Sequence, residues 1–231
     1  MHIQGLQKLT LLDYPEKTAA TVFTCGCNFR CPFCHNSDLL SAPDAADDLP
    51  VSEILAFLKK RKNVLDGVCV SGGEPLMQSD IAEFLSSVKE LGYLVKLDTN
   101  GSYPEKLKAL CESGLVDYVA MDIKNSREKY ALTAGIENLD IGKIEESASY
   151  IMENLAEYEF RTTCVSGMHT AEDIRGIGKW LGKAKRYFLQ GFVDSGRVLR
   201  GGLKPLEKPE MEELLNAARE YILSAELRGI K

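Results

Sequence analysis

Three cysteines within eight residues, Cys27-Asn-Phe-Arg-Cys31-Pro-Phe-Cys34, constrain this chain more than any other feature. They follow a short apolar, β-branched run, Ala19–Thr24. One looped backbone can carry three thiols spaced C-x3-C-x2-C onto a single iron–sulfur cluster, and three ligands leave one iron open. An open iron can chelate the amino and carboxylate groups of a small molecule, whereas a four-cysteine cluster is coordinatively closed. The alternative is structural zinc with Cys25 as fourth ligand, but such sites usually recruit a second cysteine pair or histidines farther along the chain. Cys69, Cys111 and Cys164 stand alone, and Cys25 at a strand end reads as a small buried residue. Seven cysteines, an odd number with four between positions 25 and 34, fit a cluster site in a reducing compartment better than a disulfide framework.

At 231 residues with 45% hydrophobic content, the chain supports one substantial core, read as a single domain over 1–231 with a cluster loop at about 25–50. A formal net charge of -6 with no basic block argues against a nucleic-acid or membrane-surface partner, because such proteins neutralise phosphates with excess Lys and Arg. The N-terminus has no basic stretch followed by an apolar run, and no segment of about 18 apolar residues could span a bilayer. A cytoplasmic protein is expected.

Short apolar runs alternate with helix-period segments, the pattern of repeated strand–helix units. Strands are predicted at Ala19–Thr24, Gly67–Ser71, Leu94–Thr99, Tyr118–Ile123, Tyr158–Val165 and Arg186–Gln190. Helices are predicted at Ser52–Lys62, Ser79–Leu91, Pro104–Ser113, Asp140–Glu157, Ala171–Gly182 and Pro209–Glu226, with Ser79 and Thr170 as N-caps and Ser41–Pro50 as a surface loop. Six units make an α/β fold, a partial (β/α)6 TIM-like barrel of parallel strands open on one side. The unusual residues follow the strands: the cysteines, Ser71-Gly-Gly-Glu-Pro75, Asp98-Thr-Asn-Gly101, then Asp122 and Lys124. In such folds the site is built at the carboxyl ends of the strands.

The cysteine spacing, with Phe33 before the last thiol, resembles the cluster motif of radical S-adenosylmethionine enzymes, and Cys34-His35-Asn36 is similar to the form in glycyl-radical-enzyme activases. Further blocks extend the likeness to about residues 3–192: Gly5-Leu-Gln-Lys-Leu-Thr-Leu-Leu-Asp-Tyr-Pro15, Phe23-Thr-Cys-Gly-Cys-Asn28, Ser71–Pro75, Lys96–Gly101, Ala120–Lys124 and Glu159–Thr163. Together they resemble the activating proteins of anaerobic ribonucleoside-triphosphate reductases. The resemblance implies a 4Fe-4S cluster on Cys27, Cys31 and Cys34, reductive cleavage of S-adenosylmethionine to a 5′-deoxyadenosyl radical, and a flavodoxin or ferredoxin type reductant.

Gly72 and Gly73 lack a Cβ, so the backbone can approach a ligand closely, and Glu74 can accept from an ammonium group. By resemblance this block holds the methionine amino group, and Phe33, Asp98, Thr99, Asn100 and Lys124 help to line the cofactor site. Asp98 and Asp122 are candidate ligands of a monovalent cation, as in the related pyruvate formate-lyase activating enzyme; two ordinary strand-end acids are the alternative. Arg161, a charge inside a strand pattern, is expected to meet a carboxylate of the cofactor or of an aspartate. Gln190 is a weaker candidate of the same kind; Leu-Gln-Gly-Phe192 departs from the related activator, which has a histidine close to this point. His35 is expected to orient the cluster loop. His169 reads as a surface-helix residue and Trp180 as core, neither with chemistry.

Only about 17 residues separate Cys34 from the next predicted helix, with no further cysteines there for auxiliary clusters. An undersized open barrel suits a macromolecular substrate, so the expected partner is a glycyl-radical enzyme, in particular an anaerobic ribonucleotide reductase. A small-molecule enzyme such as 7-carboxy-7-deazaguanine synthase is the alternative within enzymes. A non-catalytic iron–sulfur electron carrier is the alternative outside them, although a carrier would not need Gly72-Gly73-Glu74 or Lys124.

Overall fold

A computed structural model describes residues 1–40, 48–194 and 196–230. Residues 41–47 of the expected Ser41–Pro50 loop lie outside the described residues. The chain divides into two compact units, Met1–Asn28 with Asp38–Ala120, and Phe29–Ser37 with Met121–Lys231.

In the first unit β1 (Ile3–Thr10) runs antiparallel to β2 (Ala19–Thr24). Parallel pairing continues from β2 to β3 (Gly67–Gly72), with Ala19 opposite Gly67 and Thr24 opposite Gly72, and from β3 to β4 (Leu94–Thr99). Gly67 to Val70 are all buried, as expected of a parallel strand covered on both faces. The helices α1 (Val51–Lys60), α2 (Ile81–Glu90) and α3 (Pro104–Glu112) lie between and after these strands in the chain. α2 buries Ile81, Phe84, Leu85 and Val88, a stripe at helical spacing that leaves its polar residues outward. The β1–β2 turn is built by polar contacts: Thr10 Oγ1 accepts the N–H groups of Leu12 and Asp13 at 3.2 Å, and Asp13 accepts the Thr21 hydroxyl.

β5 (Tyr118–Asp122) gives its first three residues to the first unit and its last two to the second. There follow α4 (Tyr130–Ala134), α5 (Ile141–Asn154), β6 (Tyr158–Cys164), α6 (Ala171–Trp180), β7 (Tyr187–Gly191), α7 (Lys208–Arg219) and β8 (Ala225–Arg228). β6, β7 and β8 pair in parallel. Thr170 caps α6 through a reciprocal box, its hydroxyl accepting from Asp173 N–H while the Asp173 carboxylate accepts from Thr170 N–H.

Each of the six predicted strands falls on β2 to β7, with ends within one residue. β1, α4 and β8 were not expected from the pattern: β1 lacks clean alternation, and β8 is too short to show a period. The helix predicted at Pro209–Glu226 stops at Arg219, because the chain turns back to place Ala225 opposite Tyr187. Ser79 is not the cap of α2; Asp80 holds that position, without a side-chain capping bond.

Candidate functional site

Of the expected site residues, Cys27, Gly72, Gly73, Glu74, Asp98, Thr99 and Asn100 belong to the first unit, and Cys31, Phe33, Cys34, Asp122, Lys124 and Arg161 to the second.

The first group is a set of strand-end loops tied to one another. Gly73 N–H donates to Thr24 O at 2.9 Å and Glu74 N–H to Gly26 O at 2.8 Å, so the loop after β3 runs backbone against backbone along the chain leading into Cys27. Gly72 has φ of +120°, and a Cβ there would stand 2.3 Å from Thr24 O; at Gly73 it would stand 2.2 Å from Gly26 O. The close approach these glycines permit is thus to the protein's own cysteine-bearing segment, not only to a ligand as expected.

Glu74 is fully buried. Its Oε1 accepts from the Thr99 hydroxyl at 2.8 Å and from Leu76 N–H at 3.1 Å, and its Oε2 accepts from Asn100 N–H at 2.7 Å. The carboxylate expected to receive a ligand's ammonium is therefore engaged by three donors of its own unit. Asn100 extends the network: its side-chain amide donates to Asn28 Oδ1 at 2.9 Å and lies 3.9 Å from Cys27 Sγ, while Asn28 donates to Ser102 Oγ at 2.9 Å. An amide N–H near a cluster sulfur is one of the levers that set cluster potential.

Asp98 accepts from Ser71 Oγ at 3.0 Å and forms an ion pair with Lys96. Lys96 is 1% exposed, with its ammonium 5.9 Å from the centre of the Tyr118 ring and 3.9 Å from Cys69 Sγ. Lys96 was not singled out from sequence; a lone cation two residues before Asp98, on the same face of an otherwise apolar strand, was the available signal.

In the second unit the cysteine loop is pinned by backbone bonds, Arg30 N–H to Ala134 O at 2.9 Å, Cys34 N–H to Cys31 O at 3.0 Å and Arg200 N–H to Pro32 O at 3.0 Å. Phe33 is buried with its ring centre 6.1 Å from that of His169, and His35 lies 5.6 Å from Phe192. Asp122 Oδ1 accepts from Arg161 Nε at 2.9 Å and Oδ2 from Lys124 Nζ at 3.0 Å. Burial alone would raise the Asp122 carboxyl, but Arg161 and Lys124 outweigh it and hold the carboxyl well below the usual range. Burial likewise opposes the Lys124 charge, and Asp122 reverses that effect and raises its pKa. The carboxylate that Arg161 meets is thus that of Asp122. Asp98 and Asp122, the expected monovalent-cation ligands, each already face a side-chain cation.

His169 is buried rather than on the helix surface. Its Nδ1 accepts from Val165 N–H at 3.1 Å and its Nε2 donates to Lys124 O at 2.9 Å, a neutral ring tying two loops together. Trp180 is half-buried instead of core, edge-on to Tyr130 and beneath the Arg127 guanidinium. Gln190, at the end of β7, is also half-buried.

The cysteines suit iron by their donor chemistry: all seven are free thiols. Cys25 is buried, with Sγ against Leu39 O at 3.5 Å, whereas Cys27 and Cys34 are partly accessible. Burial pushes the Cys31 and Cys34 thiols up, so as ligands they need a metal to supply the positive charge that stabilises a thiolate. Among the described residues no three His, Cys, Asp or Glu side chains form a ready metal cage, so the ligand assignment rests on spacing and likeness.

The family model described as the Radical SAM superfamily matches residues 21–181. A Methanocaldococcus jannaschii protein named as a glycyl-radical enzyme activating enzyme is 33% identical, over 99% of this chain and 96% of its own. The pyruvate formate-lyase-activating enzyme of Staphylococcus aureus is 30% identical, over 61% of this chain and 60% of its own. Among solved structures, Streptococcus suis SuiB bound to S-adenosylmethionine superposes with a TM-score of 0.69 at 17% identity, over 88% of this chain and 48% of that one. The protein anSMEcpe with bound AdoMet superposes at 0.64 with 19% identity, over 85% and 57%. These likenesses show the fold, a parallel-strand α/β sheet that is not closed, of the partial TIM-like barrel type.

Proposed function

Because the chain belongs to the Radical SAM superfamily, we propose that it is the activase of an anaerobic ribonucleoside-triphosphate reductase. Its cofactors are a 4Fe-4S cluster and S-adenosylmethionine, and its function is of the glycyl-radical-enzyme activase type. The observation that carries the reading is likeness over nearly the whole length to a protein named for that activity. The finer target rests on the sequence blocks from Gly5 to Thr163.

In this reading Cys27, Cys31 and Cys34 hold the cluster. Phe33, Gly72, Gly73, Glu74, Asp98, Thr99, Asn100, Lys124 and Arg161 shape the nucleotide site. When bound, the two cofactors supply an electron and a hydrogen-abstracting radical, chemistry that belongs to them and not to side chains. The chain's own work is placement. Glu74 fixes the loop of Thr99 and Asn100 beside Gly72 and Gly73, the block that in this reading meets the ammonium group. Asp122 fixes Lys124 and Arg161, cations suited to a carboxylate or ribose. In this reading Asp98 and Asp122 also offer carboxylates to a monovalent cation, each beside a side-chain cation.

The substrate position is a backbone glycine of the partner, whose Cα radical is delocalised by both flanking amides. A flavodoxin or ferredoxin type protein supplies the electron. We place the reaction in the cytoplasm, where seven free thiols stay reduced; among the described residues no helix is long and apolar enough to cross a membrane.

The test mixes anaerobically reconstituted protein, reductant, S-adenosylmethionine and the anaerobic reductase from the same source. Electron paramagnetic resonance should show a doublet on the partner, since a glycyl radical keeps one α-hydrogen, and replacing the partner's glycine with alanine should abolish it. Cofactor cleavage that tracks an added small molecule, with no radical on the partner, would overturn the activase reading.

A further inference from the structure

In the second unit five charged side chains alternate in sign. Lys124 Nζ bonds Asp122 Oδ2 at 3.0 Å, Asp122 Oδ1 bonds Arg161 Nε at 2.9 Å, and Arg161 Nη1 lies 4.0 Å from Glu159 Oε1. Glu159 closes the series with Arg228, Nη1 to Oε1 at 2.9 Å and Nη2 to Oε2 at 3.0 Å. Glu159 and Arg161 are two residues apart on β6 and so share a face. Arg228 ends β8 opposite Gln190, and its guanidinium stacks 3.7 Å from the centre of the Phe188 ring.

Burial decides how this series behaves. The Glu159 side chain is 1% exposed, and a carboxylate so far from water requires a paired cation with well-formed hydrogen bonds. Arg228 supplies a bidentate pair, held flat by Phe188. If that fork were lost, Arg161 would be drawn toward Glu159 Oε1 from its present 4.0 Å, away from Asp122. Asp122 would then keep Lys124 alone.

We infer that Arg228 is a positioning residue: by neutralising Glu159 it leaves Arg161 free to stay on Asp122, and so sets the Arg161–Asp122–Lys124 arrangement. This inference rests on the reading above that Arg161 and Lys124 line the S-adenosylmethionine site. It assigns the last strand, outside the matched span of residues 21–181, a role in shaping the cofactor site.

The experiment measures S-adenosylmethionine affinity by anaerobic calorimetry on reconstituted protein carrying R228M, E159Q or both, with R161M as control. R228M should bind about tenfold more weakly, by the size of coupling usual for neighbouring charges. E159Q should bind as the wild type does. The double variant should recover most of the loss, since with no charge at position 159 that pull on Arg161 is gone. A merely structural role for Arg228 would lower melting temperature without this recovery in affinity. Wild-type affinity in R228M, or a double variant no better than R228M, overturns the inference. If R228M does not fold, R228K with and without E159Q carries the test, with a smaller loss and the same recovery. Unchanged affinity in R161M overturns the cofactor-site reading and this inference together; weakened R161M beside unaffected R228M overturns the inference alone.

Discussion

The backbone N–H of Asn100 donates to Glu74 Oε2 at 2.7 Å, so the loop after β4 hangs on a carboxylate supplied by the loop after β3. Removing that carboxylate leaves Asn100 N–H, Leu76 N–H and the Thr99 hydroxyl without their acceptor. An unpaired buried donor costs about 1–3 kcal/mol. Glu74→Ala should therefore lower thermal stability by at least about 2 kcal/mol and also weaken S-adenosylmethionine binding. Melting and calorimetry on the same anaerobic sample separate the two effects. A variant that melts with the wild type would refute the assigned role.

Cys27→Ala, Cys31→Ala and Cys34→Ala should each lose the cluster, while Cys25→Ala keeps it at about four irons per chain. Cys25 is buried and directed to Leu39 O, and burial pushes its thiol up, so it stays a neutral thiol. Iron and sulfide analysis with the visible spectrum decides. Loss of iron in Cys25→Ala would show that the ligand set is wrong.

Gly73→Ala should disrupt the loop, because its new Cβ would meet Gly26 O at 2.2 Å, an atom of the backbone that cannot swing aside. A forced backbone shift costs about 1–3 kcal/mol or more. Since Gly26 precedes Cys27, the variant should lose iron together with stability. Wild-type iron content and melting in Gly73→Ala would contradict this packing.

Lys96→Met removes the ammonium from a site 1% exposed and leaves Asp98 without its closest cation. Breaking one side of a buried pair costs roughly 3–5 kcal/mol; Asp98 is only partly buried, so the lower end is expected. Lys96→Met with Asp98→Asn should regain part of that stability. Chemical denaturation of both variants tests it, and additive losses would show that the two charges do not act as a pair.

His169 sets a pH dependence. Burial lowers its pKa below 6.5, and its backbone bonds fit the neutral ring. Below pH 6.5 the unfolded chain takes up a proton that the folded ring resists, so stability is full above that value and falls as the medium is acidified. His169→Asn, which can still accept from Val165 N–H, should flatten the melting temperature between about pH 7 and 5. An unchanged slope would mean that the ring titrates normally. Asp122 acts farther down: its depressed carboxyl stabilises the fold above its ordinary 3.8, and that contribution is lost as the pH falls below it.

The cysteine spacing, the six strand runs and the strand-end position of the Gly-Gly-Glu and Asp-Thr-Asn-Gly segments were legible in sequence because each is local: a period of two, a fixed spacing, a turn residue. Asp122 with Lys124 was legible for the same reason, two residues apart on one face. The partners of Glu74, Glu159 and His169 were not, since each is chosen by burial beside a segment about 25 to 70 residues away, on the order of the sequence separations that only folding closes. A fully buried carboxylate reads in sequence like any exposed one. Sequence alone thus determined that the cysteine, Gly-Gly-Glu and Asp-Thr-Asn-Gly segments stand at strand ends; tertiary structure decided that Glu74 bonds its own loops, that Arg161 meets Asp122, and that β8 reaches Glu159. The physical reason is that an unpaired polar group costs little in water and much in the interior, and only the folded chain fixes which groups lie there.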